Sequence, residues 1–224
     1  MFLEDLKFVC GENSFQTADI ERNDKTIDYE TSIQLSYINV LSLVKGLNVI
    51  SEFYDVKAAA AVKGTGIIAV ALGKTLADAV TKIMDSNPVD FLNSTIVLSA
   101  EVDSETARFF RDTNLIAAPK YTKNALEIIE THNVGYVTIH THLKDYKQYL
   151  SNEVRITPLG TLTQTPNLSE LDKDTFKIVT TNKPTVEQIE DAVFAWKVAK
   201  HNNSQSIVIA KDLKTIGICG GQTS

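Results

Sequence analysis

The stretch TIVLSAEVDSETARFFRDTNLIAAPKYTKNALEIIETHNVGYVTIH, residues 95–140, decides the fold class. Residues 95–99, 115–118 and 136–140 are short apolar runs with the length of buried strands. Between them, residues 104–111 read as a short helix. Pro119 ends the second run, and Thr122 is placed to cap a helix carrying Ala125, Leu126 and Ile129 on one side. Strands and helices therefore alternate, with connections short enough for a parallel sheet covered by helices. The expectation is an α/β fold in which residues 33–140 form one three-layer αβα unit with a mostly parallel sheet.

The flanking sequence extends this pattern. Val40, Leu43, Val44, Leu47 and Ile50 recur at helical spacing over residues 39–53, despite Gly46. A strand-like run, 58–63, leads into a glycine-bearing turn. Thr75 then caps a helix with the face Leu76, Ala79, Val80 and Ile83, which Pro88 closes. Residues 144–174 are polar and broken by Pro158 and Pro166, which suits a connector. After it, 176–180 reads as a strand. Thr185 and Gln188 form a capping box for a helix with the stripe Val186, Ile189, Val193 and Trp196. Residues 206–210 and 215–219 read as two final strands. The expected organisation is a first unit at 1–143, a connector at 144–174 and a shorter second unit at 175–224.

Composition narrows the function. The formal charge is −6, with Lys and Arg scattered, so there is no basic footprint for a nucleic-acid backbone. No run approaches the roughly 18 apolar residues of a membrane span, and the N-terminus carries acids where a signal peptide carries bases. A cytoplasmic protein is expected. Cys10 and Cys219 form no CxxC pair and read as free thiols. His140-Thr-His142 is the one metal-like spacing, and two imidazoles without a third ligand make a poor site, so no metal is expected.

Several segments resemble the AICAR transformylase family in the correct order. Gly11-Glu-Asn-Ser-Phe-Gln16 is similar to its GENPHQ and Leu35-Ser-Tyr-Ile-Asn39 to its LSYNN. Gly73, Thr75, Leu76, Asn87-Pro-Val89 and Glu101-Val-Asp-Ser-Glu-Thr-Ala107 continue the match, as do Ile116-Ala-Ala-Pro119, Ala125-Leu-Glu-Ile128 and Val179-Thr-Thr-Asn-Lys-Pro-Thr185. Phe194-Ala-Trp-Lys-Val-Ala-Lys-His201 and Thr215-Ile-Gly-Ile-Cys-Gly-Gly-Gln222 are close to FAWKVVKH and TVGIGAGQ.

The resemblance implies a cytidine-deaminase-like αβα fold, with one complete unit and a truncated second one and without the IMP cyclohydrolase domain. It implies AICAR and 10-formyltetrahydrofolate as substrate and co-substrate, no covalently bound cofactor, and active sites formed in a homodimer. It implies no metal: the H-x-E and PCxxC of the zinc deaminases do not occur here.

Formyl transfer needs a group that removes a proton and one that stabilises the oxyanion. The family's Lys-His pair at a strand end reads Lys63 and Gly64 here. The Arg-Tyr before GENPHQ reads Val9-Cys10, the AFGG turn reads Phe91-Leu-Asn-Ser94, and the asparagine of KSNAIV falls on Gln205. By resemblance, Lys63 is the catalytic candidate. Asn13, Leu92, Asn93, Lys200, Gln205, Ile218 and Gly221 are the substrate-binding candidates. Plainer readings stand beside these: Lys63 as a solvated strand-end lysine, Lys197 and Lys200 as cations suited to a helix C-terminus, Trp196 as core, and Gly217, Gly220 and Gly221 as turn residues.

The expected function is a catalytically silent family member that binds a purine nucleotide or a partner protein. The alternative is an active formyltransferase component completed by another chain. A homodimer is expected, with an interface that includes residues 196–222.

Overall fold

A computed structural model describes residues 8–172 and 175–221. Ten strands and six α-helices are defined among them. In chain order they are β1 (Tyr29–Thr31), α1 (Tyr37–Ile50), β2 (Lys57–Lys63), β3 (Gly66–Gly73), α2 (Leu76–Ser86), α3 (Pro88–Phe91), β4 (Thr95–Leu98), α4 (Ser104–Ala107), β5 (Leu115–Ala118), α5 (Lys123–Thr131), β6 (Gly135–Ile139), β7 (Glu153–Thr157), β8 (Gly160–Gln164), α6 (Val186–Lys200), β9 (Ser206–Lys211) and β10 (Lys214–Gly220). Short 3-10 segments follow α1 (Ser51–Phe53), α4 (Arg108–Phe110) and β6 (Leu143–Tyr149).

Eight strands form one sheet in the order β1-β6-β5-β4-β2-β3-β10-β9. The alternation of side chains along its strands separates two cores. Ala58, Ala60, Val70, Val97, Leu115, Ala117 and Val137 face α1, α6 and the 3-10 segment after β6. Ala59, Ala61, Ala69, Ala71, Ile96, Leu98, Ile116 and Ala118 face α2, α3, α4 and α5. Helices thus cover both faces, as expected for an α/β fold. Side-chain caps start the helices where the sequence placed them: Thr75, Thr122 and Thr185 each accept a backbone N–H of the first turn, and Thr185 with Gln188 completes a capping box.

The expectation of a mostly parallel sheet is corrected. Only β4-β5 and β5-β6 are parallel, while β1-β6, β2-β4, β2-β3, β3-β10 and β9-β10 are antiparallel. The source of the difference is β3, which the sequence reading absorbed into a turn. Its apolar run, Ile67 to Leu72, belongs to a central strand with no polar alternation to mark it. Gly64 and Thr65 make the two-residue turn that doubles the chain back, with Gly64 at φ 59°. Glycine at the first central position suits such a hairpin turn.

Three further differences lie towards the C-terminus. The segment read as a connector contains the 3-10 segment after β6 and the β7-β8 hairpin. Residues 176–180 form no strand. In α6 the buried side chains are Phe194 and Val198, while Val186 is 68% exposed and Ile189, Val193 and Trp196 are half-buried. Phe194 turns inward because Phe53, at the end of the α1 region, offers a ring 5.4 Å away.

The joint between β3 and β10 is built differently from the rest of the sheet. Lys214 pairs with Ala71, and the Leu72 N–H donates to the Leu213 carbonyl at 2.9 Å. Next to this, the buried Thr215 hydroxyl accepts the Val70 N–H at 3.0 Å and donates to the Val70 carbonyl at 3.2 Å. A side chain there takes the place of a strand's backbone.

Candidate functional site

Lys63 ends β2 beside the Gly64-Thr65 turn. The Gly64 carbonyl accepts a hydrogen bond from the Ser42 hydroxyl of α1 at 2.8 Å, which ties the turn to the helix. The Lys63 Nζ lies 3.5 Å from Asp90 Oδ1, and both side chains are half exposed. Asp90 is held in turn by Asn87, whose Oδ1 accepts the Asp90 N–H and whose Nδ2 donates to Asp90 Oδ2, both at 3.1 Å. Pro88 at the first position of α3 leaves Asn87 free to act as its cap.

These groups border a cleft of about 270 Å³ that Gly66, Ile67, Ile68 and Ile218 also line. Sequence reasoning named Lys63 and Ile218, and the structure brings the two together across 155 residues of chain, through the adjacency of β3 and β10. It did not name Asn87 and Asp90 as site residues. Their signal was the Asn-Pro cap pattern, which marks a helix start rather than a ligand.

The remaining candidates fall in several places. Leu92 and Asn93 follow α3 directly. Leu92 is 46% exposed, and Asn93 adopts φ 58° while its N–H donates to the Asp112 carbonyl at 2.8 Å. Asn13 lies in an exposed turn, with its Nδ2 donating to Gln16 Oε1 at 2.8 Å. Gln205 is exposed in the loop before β9. Gly221 has φ 69°, and its N–H donates to the Asn203 carbonyl at 3.0 Å.

Lys200 belongs to a buried cluster and does not line the Lys63 cleft. Its Nζ donates to Glu52 Oε1 at 2.7 Å, with the two side chains only 2% and 7% exposed. His201 Nε2 reaches the same oxygen at 2.9 Å, and since a carboxylate can only accept, this nitrogen carries the proton. Lys197 donates to the Glu52 carbonyl at 3.0 Å, and Lys147 stands 3.5 Å from Glu52 Oε2. Burial alone would raise the Glu52 carboxyl, but the bonds from His201 and Lys200 outweigh it and hold the group at about 2. Burial likewise lowers His201, with Glu52 pulling the other way. Sequence reasoning missed Glu52, whose partners on α6 and just past its end lie nearly 150 residues away.

Among the described residues, no group of three or more His, Cys, Asp or Glu is placed to hold a metal ion. Likewise, no helix among them is long and apolar enough to cross a membrane.

A mixed sheet with helices on both faces and a lysine-bearing cleft at the end of its central hairpin defines an α/β protein with a small polar site. A model of the AICARFT/IMPCHase bienzyme family matches residues 3–224. The chain is 32% identical over 222 residues to the bifunctional purine biosynthesis protein PurH of Anoxybacillus flavithermus, covering 95% of this chain and 43% of that protein. It is 34% identical over 192 residues to PurH of Rippkaea orientalis, covering 84% and 37%, and 32% identical over 197 residues to PurH of Acetivibrio thermocellus, covering 85% and 37%. The chain belongs to the AICARFT/IMPCHase bienzyme family, in the part that corresponds to the AICAR transformylase domain. It spans less than half the length of these relatives.

Proposed function

We propose that this chain is a purine-nucleotide-binding member of the AICAR transformylase line, on a cytidine-deaminase-like layout, that does not transfer a formyl group by itself. The observation that carries the reading is Gly64. It stands where the family resemblance calls for an imidazole, at φ 59° in a tight turn, and leaves Lys63 with Asp90 as its partner. A general acid–base group contributes about 10²–10⁴-fold to a rate, and no backbone atom replaces its proton transfer. Lys63 and Ile218 keep a polar, half-open cleft in which the phosphate or carboxamide of a nucleotide can be held. Under this reading 10-formyltetrahydrofolate is a co-substrate of the family and not of the isolated chain. The protein is cytoplasmic and acts as a homodimer.

The expected result of a turnover assay with AICAR and 10-formyltetrahydrofolate is no formyl transfer by the purified chain. A rate near an ordinary enzyme's roughly 10 per second would sink the reading. A second reading, an active component completed by another chain, rests on the lysine kept at the strand end, Lys63. Formyl transfer that arises only when a second polypeptide of the same source is added would select it.

A further inference from the structure

A second cavity lies at the opposite end of the parallel strands from the Lys63 cleft. It holds about 420 Å³ and is lined by Tyr54, Ser99, Pro119, Lys120 and residues 139–144. Its position follows from topology. The chain leaves β4 and β5 towards α4 and α5, on one face of the sheet, but leaves β6 towards the 3-10 segment Leu143–Tyr149, on the other. Neighbouring parallel strands whose connections part to opposite faces open a crevice outside their carboxyl ends, and in open α/β sheets that crevice is where ligands bind. The lining here is the exit of β5, at Pro119 and Lys120, and the exit of β6, at His140, Thr141, His142 and Lys144.

The chemistry of the lining is one-sided. Lys120, Lys144, His140 and His142 are among the residues that line the cavity, and no Asp or Glu lines it. This is notable in a chain of net charge −6. Carboxylates stand just outside: Glu101 lies 3.2 Å from Lys120, and Glu30, 80% exposed, lies 3.6 Å from His140. Among the described residues Lys144 and His142 make no ion pair, so an entering anion would not have to displace one from them. Tyr54, 52% exposed, and Pro119 give the same cavity an apolar wall. The volume falls within the roughly 300–1,000 Å³ of small-molecule pockets.

We propose that this crevice binds a small phosphate monoester, with the phosphate between Lys120, Lys144 and the two histidines and the organic group against Tyr54 and Pro119. Several nitrogen donors from two strand exits match the three acceptor oxygens of a phosphate better than the two of a carboxylate. The site is independent of the Lys63 cleft and of the reading given to it.

The test is a titration of the purified chain with inorganic phosphate and with phenyl phosphate, following the ring signals of His140 and His142 by heteronuclear NMR. Both rings should shift saturably, with phenyl phosphate the tighter ligand and its advantage lost in Tyr54→Ala. The double substitution Lys120→Ala/Lys144→Ala should weaken binding about tenfold or more, as expected for loss of charge-assisted bonds. Both lysines are exposed, so the fold should survive, and far-UV circular dichroism checks it. Lys63→Ala should leave the titration unchanged. Unsaturable or absent shifts, a double variant that binds as tightly as the parent, or loss of binding in Lys63→Ala would each overturn the proposal.

Discussion

Glu52 shows what one buried carboxylate does in this protein. It gathers Lys197 and Lys200 of α6, His201 just past its end, and Lys147 of the 3-10 segment after β6, around the end of α1. Glu52→Gln would leave the Lys200 ammonium, 2% exposed, without a counter-charge. The expected loss is about 3–5 kcal/mol of stability, read from urea unfolding midpoints. The pH dependence has a definite sign. The Glu52 carboxyl is lowered from 4.5 to about 2, so its stabilisation is complete above 4.5 and drains away as pH falls towards 2. His201 is also lowered, from 6.5, so protonation favours the unfolded chain and stability declines below that value too. Acid therefore weakens the cluster from both partners. A parent protein as stable at pH 3 as at pH 7, or an E52Q variant with the parent's acid sensitivity, would contradict this account.

Among the elements, α1 carries an apparent flaw that turns out to be a fit. Gly46 weakens a helix by about 1 kcal/mol relative to Ala in isolation. A Cβ built at Gly46, however, would come within 2.3 Å of the Val97 Cγ2 atom of β4, so the glycine lets helix and sheet approach. Gly46→Ala is expected to destabilise by about 1–3 kcal/mol despite its better helix propensity, and a raised melting temperature would refute the packing argument. The caps at Thr75, Thr122 and Thr185 were legible because a hydroxyl and a first-turn amide are neighbours in sequence. The strand β3 was not legible, because burial on both faces erases the alternation that marks a strand and Gly64 was read as a bend between a strand and a helix. Of the candidate site, Lys63 could be found only through its resemblance to the family's Lys-His pair, since its strand-end position alone suits a solvated lysine equally. Asp90 and Glu52 could not, since their roles exist only through partners that folding brings near.

At the level of the whole molecule, β9 closes one side of the sheet and bares Ile207 and Ile209, at 66% and 56% exposure, with Ile216 of β10 at 54%. A free edge carrying exposed β-branched residues favours pairing with another strand. The proposed homodimer places this region, Trp196 to Gly221, in its interface; Gln222 of the expected range lies outside the described residues. Light scattering of the purified protein at micromolar concentration is expected to give twice the 24.7 kDa chain mass, and a monodisperse monomer would rule the dimer out. The joint between β3 and β10 has a different kind of consequence, one of timing. The Thr215 hydroxyl that completes the β3 edge lies 145 residues after the Val70 groups it bonds. At roughly 5–20 residues per second, the ribosome needs on the order of ten seconds to deliver it. Through that interval the β2-β3 hairpin can already be paired with β4 while the outer edge of β3 has no neighbour. The newborn chain thus presents an unfinished border to the cell well before the β9-β10 hairpin arrives to seal it.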